Sequence, residues 1–203
     1  NNGGLRSLYF NTVTRSLGIE ASFLKHGYQY FRDNLLKVFD TPALLVLING
    51  YTGSGKTEVL RELNRFGEQI IDLENLASHK GSVFGDLGCD KQPSPEQFQN
   101  LLAIQWLHLN FDKPIFIEAK GSNLGKVRIP KSLKEKMQRC VYVNIDVPKS
   151  VRIQNIYRRY KDEDSSELIK RIYHIQKRLG VENSQNSVSA LETGDIEKAI
   201  LFL

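Results

Sequence analysis

The residues best suited to chemistry form the stretch GYTGSGKT at positions 50–57, which satisfies the pattern G-x-x-x-x-G-K-[ST]. In this pattern the glycines let backbone N–H groups converge on phosphate oxygens at the N-terminus of a helix. The lysine reaches the terminal phosphate, and the final hydroxyl typically binds Mg²⁺. The stretch therefore predicts a site for a nucleotide or another polyphosphate. Its predicted phosphate-binding residues are Gly50, Thr52, Gly53, Ser54, Gly55, Lys56 and Thr57, and Thr57 is also the predicted metal ligand.

Acidic side chains follow two predicted strands. Asp72 and Glu74 come after the second strand, and Glu118 ends the third. Ligands of open α/β folds bind where the carboxyl ends of the strands meet, so these groups are candidates for acid/base chemistry or for positioning Mg²⁺. They could instead cap loops. Together with Lys56 they are our candidate catalytic residues.

The segment HKGSVFG at residues 79–85 places two cationic or protonatable groups, His79 and Lys80, beside flexible backbone. This composition fits a second anion site. A loop histidine is often a bystander instead. We include His79 among the catalytic candidates.

Positive charge is concentrated in the second half of the chain. The net charge is +5, yet residues 119–181 contain 16 Lys and Arg against 6 Asp and Glu. Such a surface suits polyanions, because side chains that neutralise phosphates release counterions and gain affinity. A solvated helical face would have the same composition.

The elements around residues 50–57 predict how that stretch is positioned. The apolar run ALLVLIN at 43–49 fits a buried parallel strand, and residues 56–66 fit an amphipathic helix. Further strands are predicted at 69–73, 114–118 and 140–146, and the last two are expected to be buried. Strands alternate with helices, which predicts an α/β fold with a P-loop NTPase-like parallel sheet flanked by helices.

Other helices are predicted from their ends. Ser94, Pro95 and Gln97 have the types expected at a helix start, and a basic loop is predicted at 120–137. Basic helices are predicted at 148–160 and 166–179.

The segment before Thr41 is predicted to be separate. Residues 8–17 and 28–39 look helical, and Asp40-Thr41-Pro42 interrupts the pattern. We place a domain boundary there, with a small α/β fragment at 1–40 and the P-loop domain with its basic helical region at 41–203.

Composition excludes some classes of protein. No apolar run is long enough to span a membrane, and no signal peptide is visible, so we expect a cytoplasmic protein without a membrane partner. Cys89 and Cys140 form no C-x-x-C pair, which argues against a disulfide framework or a cysteine zinc site.

The stretch GYTGSGKTEVLRELNRFGEQIIDLENLASHKGSVFG, followed by QPSPEQF, KRLG and ALETGD, resembles the tRNA 2-selenouridine synthase family over almost the whole chain. In that family a rhodanese-like domain precedes the P-loop domain. GGLRS at residues 3–7 and HGY at 26–28 resemble the end of such a rhodanese, which would make residues 1–40 its C-terminal remnant.

The resemblance implies a transferase that replaces sulfur by selenium in the wobble 2-thiouridine of certain tRNAs. Its co-substrates would be selenophosphate and geranyl diphosphate, with a geranylated intermediate. The P-loop would then hold a diphosphate rather than ATP, with Mg²⁺ as the expected cofactor. The implied tRNA-binding residues are Lys80, Arg128, Arg152, Arg158, Arg159 and Arg178.

Two segments depart from the family pattern. Asn2 stands where the rhodanese loop C-x-R-G-G-x-R-S has arginine, and its cysteine would fall before Asn1. In EAKGSNLG at 118–125, which partly matches E-x-E-S-x-x-I-G, Lys120 replaces a carboxylate.

Two other functions fit the same residues. An ATP-dependent kinase of a small molecule or nucleotide would use the P-loop, with Arg152, Arg158 and Arg159 as a lid. A nucleotide-gated RNA-binding module would bind tRNA without modifying it. ATP turnover in the absence of tRNA would distinguish the kinase.

Overall fold

The structure is a computed structural model that describes residues 4–118, 120–121 and 123–203. The first three residues, which include the start of the predicted rhodanese remnant, lie outside the described part. So do Ala119 and Ser122 of the loop that departs from the family pattern.

The described residues form ten α-helices, one short 3₁₀ helix and six strands. The helices are α1 Gly4–Ser16, α2 Gly27–Leu36, α3 Lys56–Arg65, α4 Leu73–Ala77, α5 Pro95–Leu107, α6 Lys131–Arg139, α7 Lys149–Tyr160, α8 Ser165–Leu179, α9 Val181–Glu192 and α10 Ile196–Leu201. The strands are β1 Leu45–Asn49, β2 Gln69–Ile71, β3 Ile115–Glu118, β4 Asn123–Leu124, β5 Val127–Arg128 and β6 Val141–Asn144, and the 3₁₀ helix is Lys37–Asp40.

Four parallel strands form the main sheet in the order β2-β3-β1-β6. The predicted α/β fold with a parallel sheet is therefore confirmed. Ile48 of β1 lies opposite Glu118 of β3, so the end of β3 reaches the loop that follows β1. This register places a carboxylate beside residues 50–57.

The main core lies between the sheet and α5. Trp106 is fully buried, and its ring packs edge-on against Phe39 with 5.5 Å between centroids. Ser94 caps α5 as predicted, because its hydroxyl accepts a hydrogen bond from the Gln97 N–H at 3.1 Å. Large apolar groups at one face of α5 thus fix it against the strands.

The segment before Thr41 contains helices and no strand within residues 4–40. Its last part joins the main core, since Leu35 is 8% exposed and Phe39 is 0% exposed. Helix α1 has no buried residue. The domain boundary at 40/41 stays a prediction.

Two predictions about strands and loops were wrong. The four residues of β6 are all exposed, although this strand was expected to be buried. It is the last strand in the sheet order, so among the described residues only β1 pairs with it. The predicted basic loop at 120–137 contains the hairpin β4–β5 and the first turns of α6.

A second apolar cluster joins the four C-terminal helices. It is built around Tyr160, Leu168, Ile172 and Leu191, while Phe84 packs against it from the segment after α4. The sequence predicted α7 and α8 but not α9 or α10. None of the helices in the described part of the chain is both long and apolar enough to cross a membrane.

Candidate functional site

Residues 50–57, here called the P-loop, connect β1 to α3 as the sequence predicts. Gly53 and Gly55 have φ angles of 80° and 85°, which only glycine adopts without strain. A Cβ on Gly53 would lie 2.5 Å from the carbonyl oxygen of Arg152. Asn155 donates to the Gly53 carbonyl oxygen at 2.8 Å, so α7 packs directly on the P-loop.

Lys56 folds back over the P-loop. Its ammonium donates to the carbonyl oxygens of Gly50 at 2.7 Å and Tyr51 at 2.9 Å. Burial lowers the pKa of Lys56, and the nearby carboxylate of Glu118 partly offsets this. Among the described residues the hydrogen-bond partners of the ammonium are neutral carbonyl oxygens, and an anion would stabilise its charge.

Several polar groups of the P-loop have no partner among the described residues. The hydroxyl of Ser54 is buried without a hydrogen bond. The N–H groups of Gly53 and Gly55 donate to no acceptor in the described residues. The first N–H groups of α3 also lack partners within the helix, as at any helix start. These convergent donors form a cradle for phosphate oxygens.

Two predicted carboxylates meet at Thr57. Its hydroxyl oxygen lies 3.2 Å from Glu74 Oε2 and 3.0 Å from Glu118 Oε2. All three residues are buried. Glu118 ends β3, whereas Glu74 lies in α4 rather than in a strand.

Lys120 closes this cluster. Its ammonium lies 2.6 Å from Glu74 Oε1 and 2.8 Å from Glu118 Oε1, and its side chain is only 12% exposed. Burial alone would lower the pKa of Lys120, but the carboxylates of Glu118 and Glu74 outweigh it and raise the pKa. The lysine is thus held charged between the two carboxylates.

A divalent cation does not fit this arrangement. Mg²⁺ needs a near-octahedral set of oxygen ligands. Thr57, Glu74 and Glu118 supply oxygens, but the Lys120 ammonium already bridges the two carboxylates. Within the described residues no group of three or more His, Cys, Asp and Glu side chains could hold a metal ion. The prediction that Thr57 is a metal ligand stays untested.

Asp72 lies outside the cluster. Its side chain caps α4 by accepting from the Asn75 N–H at 2.9 Å, and Arg61 approaches it at 3.9 Å. No hydrogen bond among the described residues joins Asp72 to Lys56 or Thr57. Its contacts are those of a capping residue, and its catalytic role stays a prediction.

His79 is buried, with 8% of the residue exposed. Its Nδ1 accepts from the Gly81 N–H at 3.1 Å, and burial lowers its pKa. Burial and this hydrogen bond both favour the neutral imidazole. Lys80 pairs with Glu163 at 3.2 Å and lies over the Tyr160 ring, so the segment after α4 is tethered to α7 and the turn after it.

A cleft of about 750 Å³ opens beside the P-loop. It is lined mainly by polar and charged groups, including Gly55 of the P-loop and Glu74 of the carboxylate cluster. Of the predicted tRNA-binding residues, Lys80, Arg158 and Arg159 line the cleft. Arg152 instead lies over the Tyr51 ring, 4.9 Å from its centroid, and its buried Nε has no partner in the described residues. Arg128 and Arg178 are exposed and are not among the residues lining the cleft.

The sequence reasoning missed three features of the site. It did not place Lys120 between the carboxylates, although the departure from E-x-E-S marked that position. It also missed the Asn155 contact to the P-loop and the hydrogen bond between Ser82 and Tyr160 at 2.8 Å. Those two contacts join elements far apart in sequence and leave no local pattern.

Comparison with known proteins gives a consistent result. The family described as the tRNA 2-selenouridine synthase AAA domain matches residues 43–199. The tRNA 2-selenouridine synthase of Nitrosomonas europaea is 32% identical over 164 residues, which cover 78% of this chain and 42% of the relative. The synthases of Shewanella denitrificans and Hahella chejuensis are each 30% identical, over 84% and 88% of this chain.

The chain spans about half the length of these curated relatives, between 42% and 52%. No solved structure matches it.

Proposed function

We propose the following function for this chain, which belongs to the tRNA 2-selenouridine synthase family. Its P-loop holds the diphosphate of geranyl diphosphate during modification of a tRNA. The observation that carries the proposal is the cradle of unpartnered donors around Ser54, with Lys56 folded over it. A Walker-type loop recognises phosphate oxygens and not a base, so a prenyl diphosphate satisfies it as well as a nucleotide does.

The reaction assigned to this site is transfer of the geranyl group to sulfur. The thiocarbonyl sulfur of wobble 2-thiouridine attacks C1 of the geranyl chain and forms a C–S bond. The C–O bond to the diphosphate breaks, the diphosphate leaves with the electron pair, and the alkylated base releases its N3 proton to solvent. Lys56 and the P-loop N–H groups stabilise the charge that develops on the leaving group.

Selenium exchange completes the proposed modification. Selenium from selenophosphate replaces the geranylated sulfur: a C–Se bond forms, the C–S bond breaks and the sulfur leaves as geranylthiol, and hydrolysis of the P–Se bond releases phosphate. The family resemblance assigns this step to the rhodanese-like part. Residues 1–40 are proposed as the end of that part together with the linker helix that leads into the P-loop domain. No side chain of the P-loop site is assigned a role in it.

The tRNA is proposed to enter across the cleft. Arg158 and Arg159 of α7 and Lys80 line its wall beside Gly55, which supports an approach of the tRNA backbone to the bound diphosphate. Arg159 is only loosely paired with Glu58, at 3.6 Å, and Arg158 is exposed. Both are available to phosphate oxygens.

Titration calorimetry tests the phosphate ligand. Geranyl diphosphate is expected to bind in the absence of any nucleotide, and ATP, even where it occupies the same loop, is expected not to be hydrolysed. Tight ATP binding with ATP turnover in the absence of tRNA would contradict the proposal and favour the kinase. Binding of tRNA without any alkylation would favour the RNA-binding module.

The salt dependence of tRNA affinity provides a further prediction. Replacing Arg158 and Arg159 by Ala is expected to reduce the slope of log affinity against log salt concentration by about 1 to 2. For each phosphate contact that is lost, roughly one counterion fewer is released on binding. Arg65→Ala is the matched control, since its side chain is 74% exposed and lies on α3 away from the cleft. Filter binding over a salt series measures both slopes. Equal slopes for the double variant and the wild type would mean that the arginines form a solvated face.

A further inference from the structure

We propose that the Lys120 ammonium takes the place of a divalent cation beside Thr57, so that this P-loop binds its diphosphate ligand without Mg²⁺. The inference rests on the proposed function, which supplies the diphosphate. It concerns the position where a P-loop protein normally has a metal held by the hydroxyl of its Ser or Thr.

The position of Lys120 carries the inference. In this chain the Thr57 hydroxyl contacts the carboxylates of Glu74 and Glu118, and the ammonium bridges the remaining oxygen of each carboxylate. An ammonium therefore already pairs with both of the carboxylates that lie beside the Thr57 hydroxyl. A metal ion at this position would have to displace a lysine that is already paired twice.

The charge balance supports the same conclusion. Glu74 and Glu118 both pair with the Lys120 ammonium, and both also stabilise the charge of the nearby Lys56 ammonium, so two carboxylates are balanced by two ammonium groups. The cluster is thus neutral before any ligand binds. A divalent cation would add two positive charges to a buried group that needs none, and buried unbalanced charge is costly.

The surrounding chain is built to hold the lysine. Lys134 donates to the carbonyl oxygen of Lys120 at 2.7 Å and fixes its backbone. Gly81 lies directly over the ammonium, where a Cβ would be 2.5 Å from Nζ, and its φ of 68° favours glycine. The segment after α4 therefore packs closely against the Lys120 ammonium.

Calorimetric titration with inorganic pyrophosphate tests the inference, in excess EDTA and in Mg²⁺. The wild-type chain is expected to bind in EDTA, with an affinity within about tenfold of that in Mg²⁺. Lys120→Glu puts a carboxylate where the family pattern has one. It is expected to lose at least about tenfold in EDTA and to recover when Mg²⁺ is added. Lys126→Glu is the matched control, because it makes the same charge change at an exposed position of the same loop.

A direct readout uses Mn²⁺ as the probe. Electron paramagnetic resonance is expected to detect no Mn²⁺ bound to the wild-type chain and one ion bound to Lys120→Glu. If that variant does not fold, the wild-type titrations and the wild-type Mn²⁺ spectrum still test the inference. Pyrophosphate binding by the wild type only in Mg²⁺ would overturn the inference and leave the proposed function standing. If pyrophosphate binds in neither buffer, both the inference and the proposed function are contradicted.

Discussion

Lys56→Ala is expected to weaken binding of geranyl diphosphate by about 10- to 100-fold while leaving the fold intact. A hydrogen bond to a charged group contributes about 1.5–3 kcal/mol, and each 1.4 kcal/mol is a factor of ten in affinity. Among the described residues the Lys56 ammonium donates only to the carbonyl oxygens of Gly50 and Tyr51. Its loss therefore removes charge from the phosphate site and no core packing.

Calorimetry with geranyl diphosphate measures the effect, and circular dichroism checks that the fold is kept. Lys131→Ala is the control, because that side chain is 92% exposed and pairs only with Glu135 at 3.7 Å. The control is expected to bind as the wild type does. Unchanged affinity in Lys56→Ala would show that the ligand binds elsewhere.

A chain that begins at Thr41 is expected to be less stable than one that begins at Gly27 by at least about 3–5 kcal/mol, the cost of removing one large buried aromatic side chain. The shorter chain loses Leu35 and Phe39 from the main core and leaves Trp106 without its edge-on partner. A domain of this kind has about 5–15 kcal/mol of stability in total. The loss is therefore a large part of it.

The chain that begins at Gly27 is the matched control, because it lacks α1, which has no buried residue. It is expected to unfold at the same urea concentration as the full chain. Urea denaturation of the three chains measures the free energy of unfolding. Equal stability of the Thr41 and Gly27 chains would place the domain boundary at 40/41, as the sequence predicts. The expected loss would place α2 and the 3₁₀ helix with the P-loop domain.

The parallel sheet could be predicted from the sequence because its signals are local. The apolar run before Gly50, the glycines of the P-loop and the amphipathic stretch after Lys56 each specify their own conformation. The helix cap at Ser94 is also a local signal, and in the structure its hydroxyl accepts the predicted hydrogen bond from the Gln97 N–H. The prediction of phosphate binding follows from these local features together.

The exposure of β6 could not be predicted in this way. An apolar run of strand length has the same sequence pattern whether the strand lies at the centre or at the edge of a sheet. Val141 and Tyr142 are exposed by 66% and 67%, because the position of their strand in the sheet order leaves only one neighbour among the described residues. Strand order is set by tertiary packing and not by the run itself.

The composition of the carboxylate cluster was predicted only in part. Glu118 could be placed at the site because it ends a strand of a parallel sheet. Lys120 could not be paired with Glu74, since 46 residues separate them and no short pattern links them. The family pattern marked Lys120 as unusual, but its role required the distances.

Mass spectrometry of thiolated tRNA incubated with the protein and geranyl diphosphate tests the central claim most directly. The claim is that the P-loop holds a prenyl diphosphate for transfer to tRNA. The account predicts that the 2-thiouridine nucleoside gains the mass of a geranyl group, without ATP, and that Lys56→Ala abolishes or strongly reduces the gain. An unmodified tRNA, together with hydrolysis of ATP by the wild-type chain in the absence of tRNA, would contradict it.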